Sequence, residues 1–314
     1  MRSAMVLAAG VALAGGVTKV EQIFAVSSAE GLVRFDSASP GMVTTVGAPR
    51  GLVANHNRRA IDFRPADGRM YLLSSGRMTV TNGRAQLYTV DLASGVATTV
   101  GGGFVLAGNS SNRVSMDFNP VVDRLRVVTG TRNNYRVNPN TRAMVQADGT
   151  ITYDAGDPLF GQVTPVHGDV ACTNNLAGAT STALYYYEYA LDTIATMGSM
   201  GGSPACPNTG TLFTVGDTGL FHAGFFSDEN TIGFDISGVT GTAYVTTELV
   251  NIATGVANSR DSLFSVNLET GLLSNLGSAG VALIDSAGVI PEPGAAVVGV
   301  LGMGLPRIGG RRRR

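Results

Sequence analysis

One strand pattern returns through the chain at nearly constant spacing, and it limits the fold more than any other feature. A first unit reads LVRFDSASPGMVTTVG from Leu32, LYTVDLASGVATTVG from Leu87 and LFSVNLETGLLSNLG from Leu263. Each is an alternating strand, a tight turn with Ser-Gly, Pro-Gly or Thr-Gly, a second strand and a closing Gly. Period-two alternation marks strands, and the small-residue turn marks a hairpin. A degenerate copy begins at Tyr135 (YRVNPNTRAMVQADG). A second unit alternates with the first: AIDFRPADGRMYLLS from Ala60, SMDFNPVVDRLRVVT from Ser115 and GFDISGVTGTAYVTT from Gly233. Pro65 and Pro120 fall just past its first strand, where a missing N–H is tolerated.

One copy of each unit supplies four antiparallel strands in about 50–60 residues, the period of a propeller blade. Asp62, Asp117, Asp235 and Asp285 mark first strands. Between 117 and 235 the segment VACTNN (170–175) takes the place of MDFNP, with Thr173 where the Asp would be. The steps are then 55, 56, 62 and 50 residues. VALID (281–285) opens a blade with nothing after it, while IFAVSS (23–28) and LVRFD have no first strand before them. Joining them closes a five-bladed, all-β ring between the two chain ends and removes the exposed edges a linear array would leave. Six blades or a β-sandwich are the alternatives.

Composition excludes several function classes. The chain has 314 residues, 14 % charged and 44 % hydrophobic, with 42 Gly and a net charge of −1. That is too apolar for a disordered polyelectrolyte and too poor in charge for a coiled coil. Five of the 22 basic residues lie after residue 290, so the middle is mildly acidic and nucleic-acid binding is not expected.

The two ends read as addresses. Met1-Arg2-Ser3 and the apolar stretch Ala4 to Val17, with Ala12-Leu13-Ala14 as a small-x-small site, have the layout of a secretory signal over 1–19. At the other end, over 289–314, Pro291-Glu292-Pro293 precedes an apolar run and then Arg311, Arg312, Arg313 and Arg314. An apolar run ended by arginines enters the bilayer and stops there. At 12–16 residues it is shorter than the ~20 needed for a full span, which fits a transient membrane contact.

This tail resembles the PEP-CTERM sorting signal of exported bacterial proteins. The resemblance implies an exosortase-type membrane protease as a partner and delivery to the cell surface or beyond. Between the ends, residues 20–288 form one domain. Its segments DFRPADGRMY (62–71), DFNPVVDRLRVV (117–128), RVNPNT (136–141), DGTITYDAGDP (148–158) and TNNLAGATSTALY (173–185) resemble a domain-of-unknown-function family of exported bacterial proteins that often carry such tails. That resemblance implies a secreted propeller-like domain and brings no activity with it.

Asp62, Asp117, Asp235 and Asp285 carry the first candidate chemistry. First strands of blades line the channel, so these carboxylates would converge there and hold a cation such as Ca²⁺, or else each would cap its own turn. Two of them set at the right separation would instead suit glycoside hydrolysis. Cys172 and Cys206, the only cysteines, are expected to form a disulfide in an exported protein. His56, His167 and His222 are scattered, and Gly101-Gly102-Gly103 lacks the Lys-Ser/Thr of a phosphate loop. Tyr185, Tyr187 and Tyr189 share a strand face, either stacking on sugar rings or packing between blades. Arg124, Arg126, Arg132 and Arg136 would either bind an acidic polysaccharide or form an ion-paired surface. The expected function is a surface or matrix protein that binds, with extracellular polysaccharide as a ligand. The alternative is a polysaccharide hydrolase or lyase.

Overall fold

A computed structural model describes residues 19–76, 83–106, 113–141, 144–162, 164–165, 168–203, 205–220, 232–251 and 256–288. All but the last residue of the signal segment, the whole sorting tail with Pro291, Glu292, Pro293 and Arg311 to Arg314, and also His167 and His222, lie outside the described residues.

The strands gather into five sheets, four of four strands and one of five, in which consecutive strands are mostly neighbours. Blade 1 contains β1 (Gln22–Ser27), β2 (Gly31–Asp36) and β3 (Ser39–Gly47), completed by the last strand of the chain, β21 (Leu283–Gly288). Blade 2 holds β4 (His56–Phe63), β5 (Met70–Gly76), β6 (Arg84–Val90) and β7 (Ala97–Val105). Blade 3 holds β8 (Val114–Asn119), β9 (Arg124–Thr129), β10 (Asn134–Val137) and β11 (Met144–Ala147). The short β12 (Thr152–Tyr153) runs parallel to the outer strand of blade 4, which otherwise holds β13 (Gly168–Cys172), β14 (Leu184–Glu188), β15 (Thr193–Met197) and β16 (Thr211–Asp217). Blade 5 holds β17 (Ile232–Ile236), β18 (Ala243–Asn251), β19 (Val256–Val266) and β20 (Leu273–Ser278). This is the five-bladed ring expected from the repeats. Six blades and a sandwich are both excluded.

Closure rests on β1 pairing antiparallel with β21, with Ile23 opposite Gly288 and Val26 opposite Asp285. The first and last strands of the domain therefore share one sheet, and the ring has no free end there.

Both faces of every blade are covered, so the core divides into five clusters, one between each neighbouring pair. On β1, Ile23 and Ala25 face blade 5 with Tyr244 and Leu263, while Phe24 and Val26 face blade 2 with Ile61 and Leu72. Ala60 and Leu73 of blade 2 meet Met116 and Phe118 of blade 3. Val128 of blade 3 packs with Val170, Tyr186 and the β12 residue Tyr153. Tyr185, Tyr187 and Ile194 of blade 4 pack against Phe234 and Val245 of blade 5. Sheets buried on both faces read as near-continuous apolar runs, as in MYLLSSG of β5 and LYYYE of β14.

The repeated polar residue at strand ends has a local cause. Asp91, Asn119, Asn138 and Asn267 each accept two backbone N–H groups of the turn that follows, from residues two and three further on. Glu188 and Ser237 do the same in blades 4 and 5. These side chains satisfy turn donors that the strands leave unpaired.

Two expectations need correction. The fourth blade places Asp169, not Thr173, on its innermost strand. Thr173 follows β13, and its hydroxyl accepts the Ala183 N–H at 2.8 Å. Cys172 and Cys206 are both free, Cys172 buried and Cys206 exposed. Cys172 ends the innermost strand, whereas the backbone of Cys206 lies against Gly198, just past β15. Two strand spacings of about 4.8 Å separate β13 from β15, beyond the ~7 Å that a disulfide tolerates between Cα atoms.

Candidate functional site

The innermost strands β21, β4, β8, β13 and β17 pack side by side around the axis. Each is the inner edge of its sheet, so alternate N–H groups point to the axis without a ladder partner. Buried donors of this kind need acceptors, and one Asp per strand supplies them. Asp62 Oδ2 accepts the Phe118 N–H at 2.7 Å, and Asp117 accepts the Cys172 N–H. Asp169 Oδ2 accepts Phe234 N–H at 2.9 Å and Asp235 Oδ2 accepts Gly288 N–H at 2.6 Å. Asp285 Oδ2 accepts Ile61 N–H at 2.7 Å. Each carboxylate thus reaches the next blade in the same rotational sense, and the relay closes on itself. Asp169, Asp235 and Asp285 also accept the N–H of the residue that follows them.

The four Asp residues marked in the sequence do converge, and Asp169 completes the ring. They do not cap turns. Asp62, Asp117 and Asp235 lie together, with one oxygen from each within 4.8 Å of the other two. Asp169 and Asp285 sit one pleat nearer the strand starts and hydrogen-bond each other. The Ser115 hydroxyl also donates to Asp169 Oδ1.

Five carboxyl groups share this small buried volume, and the pKa of each is raised. Burial is the main cause throughout, since it penalises the charged form. It holds Asp235 up to about 7 and Asp169 up to about 8. Asp62, Asp117 and Asp285 are pushed up as well, by burial and then by neighbouring Asp charges. Cys172, whose side chain is hydrogen-bonded to Asp117, is pushed up by the same burial and stays a thiol. All five Asp are 1–4 % exposed, so no sugar ring can reach them as a general acid and base would require.

A second feature lies where the inner strands begin. A cleft of about 230 Å³ between blades 1 and 2 is lined by Ser28, Leu52, His56, Asn57, Arg58, Arg59 and Ile284. Arg58 Nη2 donates to the carbonyls of Ser27 and Ser28 at 3.3 and 3.0 Å, and Arg59 Nε donates to Ser75 Oγ at 3.0 Å. His56 Nδ1 lies 3.0 Å from Ser74 Oγ. Burial, then the charges of Arg84 and Arg59, push the His56 pKa down, so the ring is neutral at pH 7. Among the described residues, two guanidinium groups, an imidazole and an amide line this cleft with no carboxylate, which suits an anion.

The other candidates resolve into structure. Tyr185, Tyr187 and Tyr189 are buried between blades 4 and 5 rather than presented to a ligand. Arg126 and Arg136 converge on Asp148, at 2.7 Å each. Arg124 turns back to the Val122 and Asp123 carbonyls.

The architecture and its axial acidic ring define the chain as a five-bladed β-propeller. Residues 31–287 match the model of the family described as "Domain of unknown function (DUF4394)", and the chain belongs to that family. No curated protein matches it by sequence. Among solved structures it is similar to a nidogen/laminin complex chain, at 11 % identity and TM-score 0.43, over 87 % of this chain and 99 % of that one. It is similar to glutaminyl cyclase of Myxococcus xanthus at 13 % identity and TM-score 0.40, over 71 % and 79 %. It is also similar to a GH43 glycoside hydrolase at 14 % identity and TM-score 0.46, over 92 % of this chain and 56 % of that one. These likenesses bear on neither ligand nor reaction.

Proposed function

We propose that this propeller is an exported surface protein that acts by binding an acidic polysaccharide. The single observation behind the binding reading is the composition of the cleft between blades 1 and 2. Among the described residues it is lined by His56, Asn57, Arg58 and Arg59 without a carboxylate, while the axial carboxyl groups are buried away from any sugar ligand. Sugar acids carry planar carboxylates that a guanidinium group such as that of the half-buried Arg58 binds, with the buried Arg59 adding positive charge behind it. The export reading is supported by the apolar N-terminal segment and by the Pro291-Glu292-Pro293 tail with its arginines. In it, the exosortase-type protease is the processing partner.

Affinity electrophoresis of the purified protein through polygalacturonate, with neutral dextran as the reference gel, tests the ligand class. Retardation in the acidic gel alone, weakened by salt and by Arg58→Gln, is the expected result. Equal mobility in both gels overturns the binding reading, and release of new reducing or unsaturated ends replaces it with a hydrolase or lyase. Export is read separately, from the intact mass of protein recovered from the cell surface. Loss of both terminal segments is expected, and a full-length mass from the cytoplasm rejects it.

A further inference from the structure

The axial ring treats its two groups of carboxylates differently. In the Asp169–Asp285 pair every oxygen has a donor. Asp169 Oδ1 takes Ser115 Oγ and the Val170 N–H, and Oδ2 takes Phe234 N–H. Asp285 Oδ1 takes Ser286 N–H and Oδ2 takes Ile61 N–H. Their mutual hydrogen bond needs only one shared proton.

The group of three is not satisfied. Asp62 Oδ1 and Asp117 Oδ1 are buried and have no hydrogen-bond partner, although each carboxylate's other contact is made. An orphaned buried oxygen loses its hydration with nothing in exchange, and the loss is greater when it is charged. Native proteins keep few such atoms, and each calls for a reason. Here both belong to the one set of side chains, Asp62, Asp117 and Asp235, whose oxygens lie within 4.8 Å of one another. Oxygens bound to one ion at about 2.3–2.6 Å can be at most about 4.6–5.2 Å apart, so the three oxygens fit around a single centre. The donors are all carboxylate oxygen, which selects a hard cation, and Mg²⁺ demands a tighter octahedron and retains its water.

We propose that Asp62, Asp117 and Asp235 hold one Ca²⁺ on the propeller axis, joining blades 2, 3 and 5 from the inside. The ion supplies both orphaned oxygens with a partner and offsets two of three negative charges. Asp169 and Asp285 take no part in it. The site is independent of the polysaccharide reading and stands or falls without it.

The test uses the purified full chain, stripped with EDTA and dialysed. Equilibrium dialysis against CaCl₂ with metal analysis should give one saturable Ca²⁺ per chain. The melting temperature should rise with CaCl₂, and by less with MgCl₂ at the same concentration. Asp62→Asn with Asp117→Asn keeps acceptors for Phe118 and Cys172, and should abolish both the bound calcium and the shift. Asp285→Asn should retain both. No saturable calcium on the wild-type chain overturns the proposal, even if the double variant fails to fold. A folded double variant that still binds one Ca²⁺ overturns it equally.

Discussion

Asp285 and Ile61 stand 224 residues apart in sequence, yet the carboxylate of one accepts the backbone N–H of the other at 2.7 Å. This bond ties the last strand of the domain to the first strand of blade 2, beside the seam where β21 pairs with β1. The same contact recurs four more times around the axis. The ring is therefore held by apolar packing between blades and by a relay of carboxyl acceptors on edge N–H groups.

Removing one member of that relay should be costly. Asp285→Ala orphans the Ile61 and Ser286 N–H groups, at about 1–3 kcal/mol each. Asp285→Asn keeps an acceptor and should lose clearly less. Urea denaturation of the two variants beside the wild type gives both numbers, and equal losses would mean that the hydrogen bonds do not carry the effect.

The buried carboxyls set the pH dependence. Asp235 and Asp169 titrate at about 7 and about 8 in the folded chain, against about 3.9 when unfolded. Between those values the folded state holds more protons, so stability falls as pH rises. The contribution is complete below about pH 4 and gone above about pH 8. Asp261, held up to about 8 by burial, acts in the same direction. Asp123 is held low by hydrogen bonds from Arg64 and works oppositely, losing its contribution as pH drops below about 4. With EDTA present, the denaturation midpoint should be highest near about pH 4 and decline from there to about pH 8. A midpoint that rises from pH 5 to 9 would contradict the raised values.

Gly233 on β17 allows the closest approach of blade 5 to the closing strand. A Cβ there would stand 2.3 Å from the Ser286 backbone nitrogen. Backbone in the middle of a paired strand cannot step aside as a side-chain tip can. Gly233→Ala should cost more than the ~1–3 kcal/mol usual for overpacking, measured by urea denaturation. A loss under ~1 kcal/mol would show that the seam is looser than described.

The two thiols should differ in access. Cys206 is exposed and Cys172 buried, so a maleimide should label one thiol in native protein and two in urea without reductant. Two thiols hidden until reductant is added would establish a disulfide instead.

Much of this was legible in the repeats. Asp62, Asp117, Asp235 and Asp285 stand in recurring first-strand positions, and β1 and β21 were each missing what the other provides. Asp169 was overlooked because blade 4 lacks the DFxP signature and because its acid sits two residues earlier in the strand than in blades 2, 3 and 5. A two-residue shift keeps the side chain on the same face, so the alternation in GDVAC (168–172) held the clue. The cleft was not legible at all. His56, Arg58 and Arg59 are near one another in sequence, but their opposite wall is Ser28 and Ile284.

The order of residues determined the number of blades, the turns between strands and the manner of closure, because alternation, turn chemistry and period are local properties. Tertiary structure alone decided which carboxylate meets which N–H, which two axial carboxylate oxygens are left without a partner, and that Cys172 and Cys206 stay apart. Those outcomes depend on register between strands of different blades. A slip of one residue reverses every side chain, and nothing within a single repeat specifies its alignment with the next.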